Sequence, residues 1–123
     1  FRVYHVCGTI LPCWWDDKTH RYAILTPAEH GLVNVAELTR IVRIIAEVSQ
    51  LDFFSSEIAY DRDGKYIVID YVNDPCDMRL QSKYFDGVPD TIVRQIIEAI
   101  TGYMKHRLTA QPPTALAEAA YWP

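Results

Sequence analysis

The chain has 123 residues, half of them apolar, and its 16 acids against 12 bases give a formal charge of −4. That is the size of one domain with enough apolar side chains for a core. The negative balance gives no electrostatic case for nucleic acid or an acidic membrane surface, and no apolar run approaches the ~20 residues of a membrane-spanning helix.

Residues 1–11 read as a strand pair. Arg2, Tyr4 and Val6 alternate with Val3 and His5, and Cys7-Gly8 turns the chain toward Thr9-Ile10-Leu11. Residues 12–20 read as a loop. Its Asp16, Asp17 and His20 match no strong metal-ligand spacing, and the adjacent Trp14 and Trp15 suit a cap on the core or an interface. Arg21 to Leu25 is a short strand, and Thr26-Pro27-Ala28-Glu29 is a helix-start signal that Gly31 ends. Asn34 to Gln50 is the first long helix, capped by Asn34 with Glu37 placed to complete the box. Leu38, Ile41, Val42, Ile45 and Val48 form its apolar stripe.

Phe53 to Tyr60 and Tyr66 to Val72 read as two strands joined by Asp61-Arg62-Asp63-Gly64-Lys65. Glu57, Asp70 and Asn73 sit on or just past them. A carboxylate in an apolar strand is costly unless something positive meets it, and a hard cation such as magnesium takes oxygen ligands. Two registers are open. A four-residue loop, Arg62 to Lys65, sets Glu57 opposite Asp70, where two close acids favour a cation or a shared proton. A bulge at Gly64 slips the register by one and turns them to opposite faces.

Residues 74–83 form a polar loop whose Arg79 and Lys83 are either ordinary solvated charges or contacts for phosphate or carboxylate. Gly87-Val88-Pro89-Asp90 opens a second long helix, running to about Leu108, with a stripe of Ile92, Ile96, Ala99, Ile100, Tyr103 and Met104. Gln111-Pro112-Pro113 breaks the chain, and Ala115 to Trp122 reads as a small helix able to dock through Leu116 and Tyr121, or as a tail. The expected fold is α+β: an antiparallel sheet with two main helices packed on it, in a unit of residues 1–110 followed by a Pro-containing tail, 111–123. Cys7, Cys13 and Cys76 are odd in number and form no CxxC, which predicts free thiols in a reducing cytoplasm, with a Cys7–Cys13 disulfide as the alternative.

Glu57, the Asp61-Arg62-Asp63-Gly64 turn, Asp70, Asn73 and Pro75 together resemble the last part of the nucleotide-binding core of the ATP-grasp superfamily. The opening FRVYHVCGTIL is similar to that family's Arg-bearing strand and hairpin, with Arg2 in the Arg position. The likeness spans about residues 1–80 and is strongest over 51–76. It departs in having Glu for the commoner Asp at position 57, Pro75-Cys76 for the usual Pro-Gly, and one extra residue between Asp70 and Asn73. That extra residue demands a bulge or bend at Tyr71–Val72 to bring Asn73 round.

The resemblance implies Mg2+ held by Glu57, Asp70 and Asn73 on the phosphates of ATP, with Arg2 or Arg79 as a phosphate contact and Ile69 lining the adenine pocket. It implies a ligase that activates a small carboxylate as an acyl phosphate for attack by an amine or similar nucleophile. The family's lysine-bearing half has no counterpart here, and the chain starts with Phe1, so a missing N-terminal part of the same polypeptide is expected as partner. A non-catalytic interaction or dimerisation module, using Trp14, Trp15 and the tail, is the alternative, and it leaves a homodimer open. No GxSxG or HExxH motif supports a hydrolase.

Overall fold

The computed structural model describes residues 1–110. The expected helix over Ala115–Trp122 and its contacts lie outside the described residues. Five strands form one antiparallel sheet in the order β3-β2-β1-β4-β5. They are β1 (Arg2–Val6), β2 (Thr9–Trp15), β3 (Tyr22–Ile24), β4 (Phe53–Tyr60) and β5 (Tyr66–Asn73), with helices α1 (Val35–Ser49) and α2 (Asp90–Ala110). The fold is α+β, with one helix on each face of the sheet. Among the described residues, no helix is long and apolar enough to cross a membrane.

Alternation along β1 and β4 divides the core in two, because successive strand residues point to opposite faces. Val3, Phe54 and Ile58 meet Leu38 and Val42 of α1, with Leu25 and Val33 closing that layer. Tyr4, Val6, Cys13 and Tyr22 meet Ile92, Val93 and Ile96 of α2. The helical stripes thus find their sheet, except at their ends. Val48 is 80% exposed and Met104 57% exposed, because each lies near the C-terminal end of a helix.

The segment from Pro12 to Trp15, expected as loop, is strand. Cys13, Trp14 and Trp15 pair with Ile24, Ala23 and Tyr22, and Pro12 sits opposite Val3. At Pro12 itself β2 pairs on one side only, with β1, because its pairing with β3 begins at Cys13, and a strand with a free side tolerates a missing N–H. Trp14 then points to the α1 layer, and its Nε1–H donates to Glu29 at 3.1 Å. Glu29 also accepts from the N–H and hydroxyl of Thr26, which fixes the short 3₁₀ turn Pro27–Gly31. Asn34 caps α1 as expected, accepting from the Glu37 N–H at 3.0 Å. Glu37 does not complete the box; it forks onto Arg40, and the Asn34 N–H donates to the Tyr66 hydroxyl instead.

The connection from β5 to α2 folds over the α2 side of the sheet. The Tyr4 hydroxyl donates to the Asp77 carbonyl at 3.1 Å, and the Gln81 amide donates to the Tyr22 carbonyl at 2.9 Å. Leu80 and Val88 bridge in parallel, and Gly87 lies inside that crossing. A Cβ at position 87 would come within 2.7 Å of the Arg79 carbonyl oxygen and the Leu80 carbonyl. These are backbone atoms that cannot swing away. Gly87→Ala is therefore expected to destabilise the fold by about 1–3 kcal/mol, the usual cost of overpacking, read as a lower urea midpoint.

Candidate functional site

The α2 side of the sheet is only partly covered. α2 packs over β1, and the neighbouring ends of β4 and β5 face outward. On this side of the sheet the registers align side chains in two rows, the second of them buried at Tyr4 and Ser55. Arg2 of β1 is opposite Glu57 of β4, which is opposite Asp70 of β5. In the next row Tyr4 is opposite Ser55, which is opposite Asn73. Glu57 and Asp70 thus face one another, and Asn73 donates its Nδ2–H to the Asp70 carboxylate at 2.8 Å.

This alignment comes from the turn and two register shifts acting together. Tyr60 pairs with Tyr66, so the turn is Asp61 to Lys65, one residue longer than the loop that sets Glu57 opposite Asp70 directly. Asp61 organises it, accepting from the N–H groups of Asp63 at 2.9 Å and Lys65 at 2.8 Å, while Gly64 takes φ +80°, a conformation cheap only for glycine. The register near the turn is therefore the slipped one. A first shift between Ile58 and Glu57 then restores the match of Glu57 with Asp70. A second, between Glu57 and Ser55, sets Tyr71 and Val72 against Ser56 and brings Asn73 opposite Ser55. Val72 turns to the α1 layer and Asn73 to the acid side.

Arg2 ends the first row. Its guanidinium lies 4.4 Å over the Trp15 ring and 3.6 Å from the Glu57 carboxylate, with 12% of the side chain exposed. That separation exceeds the 2.7–2.9 Å of a charge-assisted hydrogen bond, and its buried Nε–H has no partner. A buried donor left unmatched costs about 1–3 kcal/mol. Arg2 lines a cavity of about 210 Å³ with Trp15, His20, Ser55, Asn73 and Arg79. Arg79 reaches the same cavity, but its fork is held by Asp77 and Asp86 at 2.9 Å each, and it pulls the Asp86 carboxyl below its ordinary range. Lys83 is exposed. Ile69, 59% exposed, lines a second recess of about 340 Å³ with Phe1, Trp15, Asp17 and Glu57.

Sequence reasoning does not pick out Ser55, while it reads Trp15 as a core cap or interface residue and His20 as a loop residue without a strong metal-ligand spacing. Trp15 follows from the register: it lies two residues beyond Cys13, which is opposite Arg2, on the same face. His20 stacks on Trp15 with ring centroids 5.6 Å apart. Asp16, read as a loop acid, accepts from the N–H groups of Lys18 and Thr19 and so shapes its own turn. Among the described residues, no group of three or more His, Cys, Asp and Glu side chains converges as a metal cluster. Searches of protein-family models, curated proteins and solved structures found no match.

All three cysteines are free thiols. Cys76 donates to the Asn73 carbonyl at 3.3 Å. Burial pushes Cys76 up to about 11 and Cys13 up to about 12, from an ordinary value of 9.0. The folded chain therefore keeps protons that the unfolded chain releases. The stability this supplies is complete below pH 9 and is lost as the pH rises through 11 to 12. The urea midpoint is expected to fall above pH 9 and to fall less steeply in Cys76→Ser, which keeps a donor for Asn73.

Proposed function

We propose that this chain is the metal- and phosphate-binding portion of an ATP-grasp-like, magnesium-dependent carboxylate ligase. The observation that carries the reading is the opposition of Glu57 and Asp70 on an uncovered sheet face, with Asn73 tied to Asp70 and Arg2 at the end of the same row. The donors suit the ion: two carboxylates and an amide are all oxygen ligands. Magnesium is typically held by one or two carboxylates plus substrate phosphates, not by a closed protein cage. A pair of acids without a third is what such shared coordination asks for.

In this reading Glu57 and Asp70 hold Mg2+, and the Asn73 amide oxygen assists, its Nδ2–H already being spent on Asp70. The ion would neutralise charge on the ATP phosphates during transfer. The Arg2 guanidinium, held flat by Trp15, lines the cavity and supplies the positive charge for a phosphate oxygen. Arg79 supports the cavity wall through Asp77 and Asp86, whose two carboxylates offset its charge there. Ile69 supplies apolar surface beside the acids, suited to the adenine ring. A small carboxylate, activated as an acyl phosphate, is the proposed substrate, and the rest of the ATP site comes from elsewhere in the polypeptide.

The second reading, a non-catalytic interaction or dimerisation module, is favoured by one feature. β5 is an edge strand with Ile67, Val68, Ile69 and Tyr71 all exposed.

A Mn2+ titration with ADP, on the longest polypeptide carrying this sequence, separates the two. The ligase reading expects nucleotide-dependent binding that Glu57→Gln with Asp70→Asn removes, with the melting temperature of the fold retained. A folded parent that binds no Mn2+ in the presence of ADP would leave the interaction module standing.

A further inference from the structure

We infer that Ser56 is the positioning residue of this site: its hydroxyl holds the second bulge of β5 and so keeps Asn73 on the face of Glu57 and Asp70. Metal binding by that face rests on the function proposed above; the placement of Asn73 does not.

Ser56 is fully buried, on the α1 side of β4, while the acids lie on the other side. It touches neither Glu57 nor Asp70 through its side chain. Its register explains its place. Ser55 pairs with Asn73 and Glu57 with Asp70, so Ser56 alone faces both Tyr71 and Val72. A ladder is locally disrupted where two residues oppose one. At that point the Ser56 hydroxyl donates to the Tyr71 carbonyl at 2.7 Å. On its other side Ser56 is paired with Val3 of β1, so it cannot move to follow β5.

The parity of the strand makes this bond decisive. In a regular strand, residues 70 and 72 share a face, and 71 and 73 take the other. Absorbing one extra residue reverses the parity beyond it, which is why Asn73 joins Asp70 and Val72 enters the α1 layer. A hydrophobic residue at position 56 would leave a carbonyl in the bulge without its buried donor, at a cost that a regular ladder avoids. Relaxing to that ladder turns Asn73 away from Asp70. The Cys76 thiol holds the Asn73 carbonyl, but it acts after the extra residue and does not set the parity.

The test is side-chain amide NMR on asparagine-labelled protein, again on the longest polypeptide carrying this sequence, with the Asn73 signal assigned by its loss in Asn73→Ala. The parent is expected to show a shifted, exchange-protected Asn73 amide. Ser56→Ala should move it to the position of a free amide and weaken Mn2+ binding in the presence of ADP by about tenfold, the lower end of what outer ligand partners contribute. Ser56→Thr, which restores the hydroxyl, should recover both signals. If Ser56→Ala does not fold, Ser56→Cys carries the same comparison with a weaker donor. An Asn73 amide unchanged in folded Ser56→Ala overturns the inference. A parent that binds no Mn2+ sinks the metal reading, and the amide signal then decides the role of Ser56 by itself.

Discussion

Eight residues of β5, Tyr66 to Asn73, run opposite six of β4, Ser55 to Tyr60. Two residues of β5 must therefore be absorbed along the pairing, and everything at the site follows from where. One is taken up between Val68 and Asp70, the other between Asp70 and Asn73. The first sets Asp70 across from Glu57, and the second adds Asn73 to the same surface. β4 stays straight because it is paired on both sides, with β1 and with β5. An edge strand can bulge where a central strand cannot do so without disturbing two ladders. The irregular member of the pair is thus the one with a free side.

Charge on this surface is arranged as a gradient across three strands. Arg2, Glu57 and Asp70 stand in adjacent positions, cation first. Trp15 covers one face of the guanidinium in a cation–π contact that keeps water from that face. The Arg2–Glu57 contact at 3.6 Å is loose. Arg2 and Glu57 are therefore paired by charge without a close hydrogen bond between them. Arg79, by contrast, has its fork filled by Asp77 and Asp86, and its first task is to hold the connection from β5 to α2.

Much of this was legible from residues alone. The α+β class, both long helices, the hairpin and its acids follow from periodicity and turn chemistry. The need for a bend at Tyr71–Val72 came from counting residues between Asp70 and Asn73. The register itself was not legible, because it depends on two opposite corrections. The longer turn slips the pairing by one, and a bulge at Ile69 slips it back. Turn rules see only the first, and bulges have no reliable sequence signature when no glycine marks them. Pro12 misled for a related reason: its effect on a ladder depends on which neighbours the strand acquires. Ser56 reads as a small residue in an apolar strand, and only the pairing of two strands shows what its hydroxyl meets.

The bulges have a further effect on how the molecule behaves among its own copies. A long, flat, apolar edge is a template on which other chains can add strands. β5 has the composition for that, with exposed Ile67, Val68, Ile69 and Tyr71 and a single charge at Asp70. Two interruptions in eight residues spoil the even spacing of outward N–H and C=O groups that an incoming strand would have to match. The irregularity that sets Glu57, Asp70 and Asn73 on one face therefore also interrupts the open edge, so contacts along β5 would run through its exposed side chains and not through a regular added strand.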